Sequence, residues 1–237
     1  MREDTVLPGF LLLVAIFLVL PGALPCTARA DEARMARWEE SAFGRWNSLP
    51  ERKVKAEGDT FRVEVDLSPG SGVRWEERVD RALRSEDVLS IEMVSAGTNK
   101  TSRDYDRYGA HFPLSVTAVF GKDSEDLSWK RRVVEFIRSI WHGFSPGGIR
   151  LTFAYGNNVP VGSMYRLGEE ETVFILGGEE EQGKKISVAR SLKEDFRAAY
   201  GRPPKGPLTR ILVSAERPSR ETGTIEGEIR LSSPLLK

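Results

Sequence analysis

The stretch from Ile149 to Arg190 constrains this chain more than any other. It reads IRLTFAYG, NNVPVG, TVFILGG, an EEEQG turn and KKISVAR, three short β-forming runs separated by turn residues, and it carries no cofactor or nucleophile motif. Val173 with Ile175, and Ile186 with Val188, repeat at i, i+2, the spacing that sets one side of a strand against a core. Glu179 to Gly183 reads as a solvated connection, so TVFIL and KISVA predict a hairpin with a loop of several residues. Gly156-Asn157-Asn158 accepts unusual backbone dihedrals, and Pro160-Val161-Gly162 redirects the chain.

The same period recurs on both sides. Phe61 to Leu67 (FRVEVDL) is a half-buried antiparallel strand with its acids on the wet face, and Leu89, Ile91 and Met93 repeat the alternation. Leu114, Val116, Ala118 and Phe120 share one parity of another strand. Leu208 to Ser214, and Ile225 with Gly227, Ile229 and Leu231, supply two more. Arg74 to Arg84 fits neither period, and AERPSRETG after Ser214 reads as an exposed loop.

Three segments read as helix. Val133, Ile137, Ile140 and Trp141 recur at three- and four-residue steps, with Asp123 as N-cap and Gly143 and Pro146 as the stop. Ser191 with Glu194 forms a capping box ahead of Leu192, Phe196, Ala199 and Tyr200, closed by Gly201 and Pro203-Pro204. Ala33 to Phe43 predicts a short helix with Met35, Trp38 and Ala42 on its apolar side, and Trp38 and Trp46 pack an N-terminal arm on the main domain. Together the elements predict a mainly β protein, an antiparallel β-sandwich with two peripheral helices. At 237 residues with no low-complexity linker, one sandwich-sized domain over 58–237 follows an arm at 31–57.

Residues 9–20, GFLLLVAIFLVL, are short for a membrane span and suit the apolar region of an export signal. Ala28-Arg29-Ala30 permits cleavage before Asp31, giving a 1–30 signal peptide that engages the membrane during export. The expected product is periplasmic or secreted; an uncleaved segment anchoring the chain in the inner membrane is the alternative. Cleavage would remove Cys26, the one cysteine, and with it disulfides and thiolate chemistry. Lysine plus arginine and aspartate plus glutamate both total 35, which gives no global field for nucleic acid.

The runs FPLSVTAVFG, LTFAYGNNVPVG, TVFILGG, ISVARSLKEDFRAAYG and LTRILVSAE resemble the bacterial domain family of unknown function DUF3047 over approximately residues 60–232. The resemblance implies one exported β-sandwich of jelly-roll or galactose-binding-like character with no assigned chemistry. Arg190, Asp195, Phe196 and Gly201 follow the family's pattern, Asp104, Asp106 and Arg107 occupy its acid-rich segment, and Tyr155-Gly156 matches its aromatic motif in part. The family's late acidic loop is replaced here by Glu216 to Thr222, and its tryptophan before ISVAR by Gly183-Lys184-Lys185.

Chemistry has few candidates. His111 and His142 have no HxxxH spacing, so neither a metal site nor a cofactor is expected. No EF-hand spacing, phosphate loop or G-x-S-x-G elbow occurs. Asp104, Asp106, Glu216 and Glu221 form a candidate acidic cluster, suited to a glycosidase pair or an oxygen site. Tyr155, Asn157, Asn158 and Arg190, helped by Tyr105, Tyr108 or Tyr165, form a candidate edge for a glycan or other small polar envelope ligand. The sequence therefore favours a noncatalytic binding module. A structural or protein-interaction domain and an acid-dependent glycan hydrolase are the alternatives.

Overall fold

The computed structural model describes residues 37–42, 48–106, 110–121 and 148–236. The expected export segment, Met35, Trp46, Arg107, Tyr108, the helix expected around Val133 to Trp141, and His142 lie outside the described residues. Twelve strands, numbered in chain order, form two sheets. The seven-stranded sheet runs β1 (Trp38–Ala42), β4 (Gly72–Arg81), β11 (Leu208–Glu216), β6 (Leu114–Phe120), β7 (Ile149–Tyr155), β9 (Glu171–Gly177), β8 (Met164–Arg166). The five-stranded sheet runs β10 (Ile186–Ser191), β5 (Val88–Ser95), β12 (Ile225–Ser232), β3 (Thr60–Leu67), β2 (Glu51–Glu57). Among the described residues there is one α-helix, α1 (Leu192–Tyr200), which continues directly from β10.

The alternation read from the sequence is what packs these sheets into a sandwich. Phe61, Val63, Val65 and Leu67 of β3, with Leu89, Ile91 and Met93 of β5, turn inward from the five-stranded sheet. Trp75, Val116, Phe120, Leu151, Phe153 and Val213 meet them from the seven-stranded sheet. All are essentially inaccessible to water, and burial of each large apolar side chain stabilises by about 1.5–3 kcal/mol before conformational entropy is counted. The sheets approach so closely at Gly227 that an added Cβ would lie 2.9 Å from Leu114 Cδ2.

The structure departs from the sequence reading in several places. TVFIL and KISVA do not pair: β9 lies in the seven-stranded sheet, β10 pairs with β5 in the other, and Glu179–Glu181 is a single helical turn on the crossing between them. The apolar periods were equally compatible with either arrangement, because a strand in each sheet also needs one buried side. β7 and β9 are parallel, an exception in an otherwise antiparallel architecture. Trp38–Ala42 is an edge strand on β4 and not helix, with the Trp38 ring stacked on Phe61 at 4.0 Å. The undecided Arg74 to Arg84 segment holds most of β4, a ten-residue strand.

At α1 the expected capping box is absent, since the Ser191 side chain makes no cap hydrogen bond. Arg190 ties the first turn down instead, donating from Nε to Asp195 Oδ2 at 2.9 Å and from Nη2 to Oδ1 at 2.5 Å. The other end follows expectation: Gly201 adopts φ 70° and its N–H closes on Arg197 O.

Candidate functional site

Most of the residues singled out in the sequence converge on one end of the sandwich, where they form a buried clamp. Asp104, 1% exposed, accepts at Oδ2 from the backbone N–H groups of Asn157 (2.7 Å) and Asn158 (2.9 Å). Its Oδ1 accepts from Asn157 Nδ2 at 2.7 Å and Ser102 Oγ at 3.2 Å. Asn157 Oδ1 in turn accepts from Asn99 N–H, and Asn99 Nδ2 donates to the carbonyls of His111 and Glu216. Buried polar groups persist only when paired in this way, so the cluster is a loop clamp that joins 98–104, 156–158 and the end of β11.

The loop read as exposed after Ser214 belongs to the same clamp. Arg217 is buried and donates from Nε to Gly223 O at 2.9 Å and from Nη1 to Asn99 Oδ1 at 3.2 Å. Glu221 Oε1 accepts from both the N–H and the hydroxyl of Thr101 at 2.6 Å. Burial pushes the Glu221 carboxyl up, but these hydrogen bonds outweigh it and hold it below the ordinary range. Asp106 lies beyond Asp104 in a turn closed by its own N–H on Arg103 O.

The aromatic and amide edge is not an open platform. Tyr155 is fully buried, donates to Gly178 O at 2.7 Å, and is pushed up to about 12 by burial with help from Glu181. Its strand parity turns the ring into the core. Asn157 is consumed by the clamp, and Arg190 is paired with Asp195 beneath Phe174, so of the four candidates only Asn158 stands at the surface. Tyr105 is exposed and packs against Tyr165, ring centroids 4.7 Å apart.

A second group of polar and charged side chains lies on the outer face of the seven-stranded sheet, and the sequence reading missed it. Pairing register sets it out in three rows across the strands. Arg74, Ser214 and Ser115 stand side by side on β4, β11 and β6. Glu76, Leu212, Thr117 and Thr152 form the next row, and Arg78, Arg210, Val119, Arg150 and Glu171 the third. Arg210 Nη1 lies 3.3 Å from Glu76 Oε1, and Arg150 Nη2 3.2 Å from Glu171 Oε2. Burial pushes the Arg74 guanidinium down while Glu216 and then Glu76 oppose it, which places both carboxylates within electrostatic reach of Arg74.

Glu216 ends β11 at the rim of this face, where His111 Nδ1 sits 3.4 Å from its Oε2. His111 is 42% exposed at its side chain and Glu216 11%. The contact with Glu216 raises the His111 pKa against the opposing effect of burial, so the imidazole keeps its proton to a higher pH than usual. Glu77, next to Glu76 on β4, points to the opposite face, where Arg37 Nη2 lies 2.5 Å from its Oε1. No group of three or more histidine, cysteine, aspartate or glutamate side chains among the described residues is arranged to hold a metal ion.

No family model and no curated protein matches this chain. Solved structures of similar shape exist. The catalytic domain of Humicola grisea Cel12A, in complex with a soaked thio cellotetraose, superposes with a TM-score of 0.42 at 10% identity over 83% of this chain and 92% of that one. The enzymatically active domain of tailspike protein 4 from bacteriophage CBA120 gives 0.33 at 8% identity over 84% of this chain, which spans 20% of that longer one. Likeness at this level carries no argument about activity. Both of these chains are catalytic domains, and the preference for a noncatalytic module is corrected to this extent: a β-sandwich gives no ground for excluding an enzyme.

Proposed function

We propose that the chain hydrolyses a glycan at the outer face of the seven-stranded sheet, with Glu76 and Glu216 as its two carboxylates. The observation that carries this reading is their placement on one face of adjacent strands, with Arg74 at a ladder position between theirs. Glu76 is opposite Leu212 and Glu216 opposite Gly72, four positions along the same ladder. That is roughly 13 Å between backbones. Hydrolysis there requires the two carboxyl groups to lie roughly 6.5–9.5 Å apart, the separation that leaves room for an attacking water.

In that arrangement the proton held by the His111–Glu216 pair goes to the leaving glycosidic oxygen. Glu76, held by Arg210, takes one from the water as its oxygen bonds to the anomeric carbon and the glycosidic bond breaks. At a spacing of roughly 6.5–9.5 Å the reaction inverts the configuration at that carbon. Removal of residues 1–30 on export would place the surface among envelope glycans, and the intact mass of the processed protein checks it; retention of those residues defeats the export reading.

The test of the hydrolase reading is release of reducing ends from soluble β-glucans, xylans and peptidoglycan-derived glycans. Glu76→Gln and Glu216→Gln should each slow release by about 10²–10⁴-fold. No release from any glycan, or equal rates in both variants and the parent, overturns the reading.

A further inference from the structure

We infer that the exposed ring of Tyr105, backed by Tyr165, is a stacking subsite for a neutral pyranose unit of the glycan, remote from the two carboxylates. The inference rests on the hydrolase reading for the rest of the chain of sugars, but the subsite itself stands on its own geometry. Tyr105 is 65% exposed, which leaves open to a ligand a large ring whose body gains by leaving water. Its position is nonetheless fixed. The preceding residue, Asp104, is held by four hydrogen bonds in the buried clamp, and Asp106 N–H closes the turn on Arg103 O at 2.8 Å.

The ring also has a firm backing. Tyr165 lies 4.7 Å away at an interplanar angle of 54°, on the outer side of β8, and packs with Phe112, Val159, Leu167, Val173 and Ile175. Burial, followed by the nearby Asp104, pushes the Tyr165 phenol far up, so it stays neutral and apolar toward its neighbour. One face of Tyr105 is therefore occupied and the ring stays accessible, already ordered before any ligand arrives. Such a platform favours the apolar face of a pyranose, since aromatic rings combine broad contact with little ordering cost.

The pairing order also sets the distance. Tyr165 shares a cross-strand row with Val173, Thr152, Thr117 and Leu212, ending at Glu76 five strands away. At the usual strand separation that is roughly 24 Å. The subsite consequently serves long oligosaccharides and is indifferent to disaccharides when they occupy the carboxylates.

The experiment is calorimetric titration of full-length Glu216→Gln with cellohexaose, xylohexaose and laminarihexaose, so that binding is read without turnover. Tyr105→Ala in that background should weaken the best of these by roughly five- to tenfold, while Tyr105→Phe binds like the parent. Unchanged binding by Tyr105→Ala, loss of binding in Tyr105→Phe, or no binding of any hexasaccharide by Glu216→Gln overturns the subsite. Weakened binding in Tyr105→Ala together with no product from the unsubstituted protein keeps the subsite and removes the hydrolase reading. Equal melting temperatures of the Tyr105 variants and their background confirm that a loss is local.

Discussion

The outer faces of the two sheets carry charge in different ways. On the five-stranded sheet Arg62 meets Glu228 at 2.8 Å and Glu64 at 3.0 Å, and Lys185 meets Glu92 at 2.8 Å, with Arg62 and Glu64 each 44% exposed. On the seven-stranded sheet the pairs Arg210–Glu76 and Arg150–Glu171 are only 16–19% exposed and sit among bonded hydroxyls, with Thr117 and Thr152 3.0 Å apart. Exposed pairs contribute about 0–1 kcal/mol each because water serves them nearly as well. Desolvated ones are costly to assemble and costly to break, so their presence marks a surface built for more than solubility. A chain whose 35 basic and 35 acidic residues cancel therefore holds one ordinary charged face and one organised face.

The largest expected effect lies in the clamp that borders the organised face. Asp104→Ala leaves the buried N–H of Asn157 without its acceptor and should lower unfolding stability by about 3–5 kcal/mol, read by urea denaturation. A loss below about 1 kcal/mol would make the clamp an incidental cluster. Next, Glu171→Ala removes the partner of Arg150 and the acceptor of the Thr152 hydroxyl at 2.8 Å, for an expected cost of about 2 kcal/mol.

His111 gives a smaller, pH-dependent effect. Its folded pKa is raised by Glu216, so the stabilisation is fully present below the unfolded value, about 6.5, and is lost as pH rises through the raised folded value. His111→Asn should therefore cost more stability in acid than in mild alkali, and an equal cost at both would show that Glu216 does not hold the imidazolium. The smallest effect belongs to the other sheet: Glu228→Ala, removing an exposed pair, should cost about 0.5 kcal/mol or less. A cost matching that of Glu171→Ala would erase the distinction between the faces.

The sandwich was legible because apolar alternation survives without tertiary information, as in Phe61 to Leu67 and Leu114 to Phe120. Partnership was not. The TVFIL and KISVA runs each carry a buried side, and nothing local states that one joins each sheet. β4 escaped detection for a physical reason: Glu77 occupies the inner parity alongside Val73 and Trp75, and Arg74 occupies a buried place on the outer one, so charge no longer reports the wet side. Of the acidic candidates, Asp104 and Glu221 lie in the clamp as acceptors for loop backbone, whereas the Glu216 carboxyl turns to His111 at the rim. Glu76 drew no notice because its significance comes from Arg210 and Arg74, one of them 134 residues away in the chain.

The most direct measurement of the central claim sets the two faces against each other in turnover. Initial rates of reducing-end release should be compared for Glu76→Gln and Glu216→Gln on one side and Glu64→Gln and Glu228→Gln on the other, on whichever glycan the parent cleaves fastest. The account predicts a loss of about 10²-fold or more in each of the first pair and rates indistinguishable from the parent in the second. Comparable rates in all four variants would contradict it.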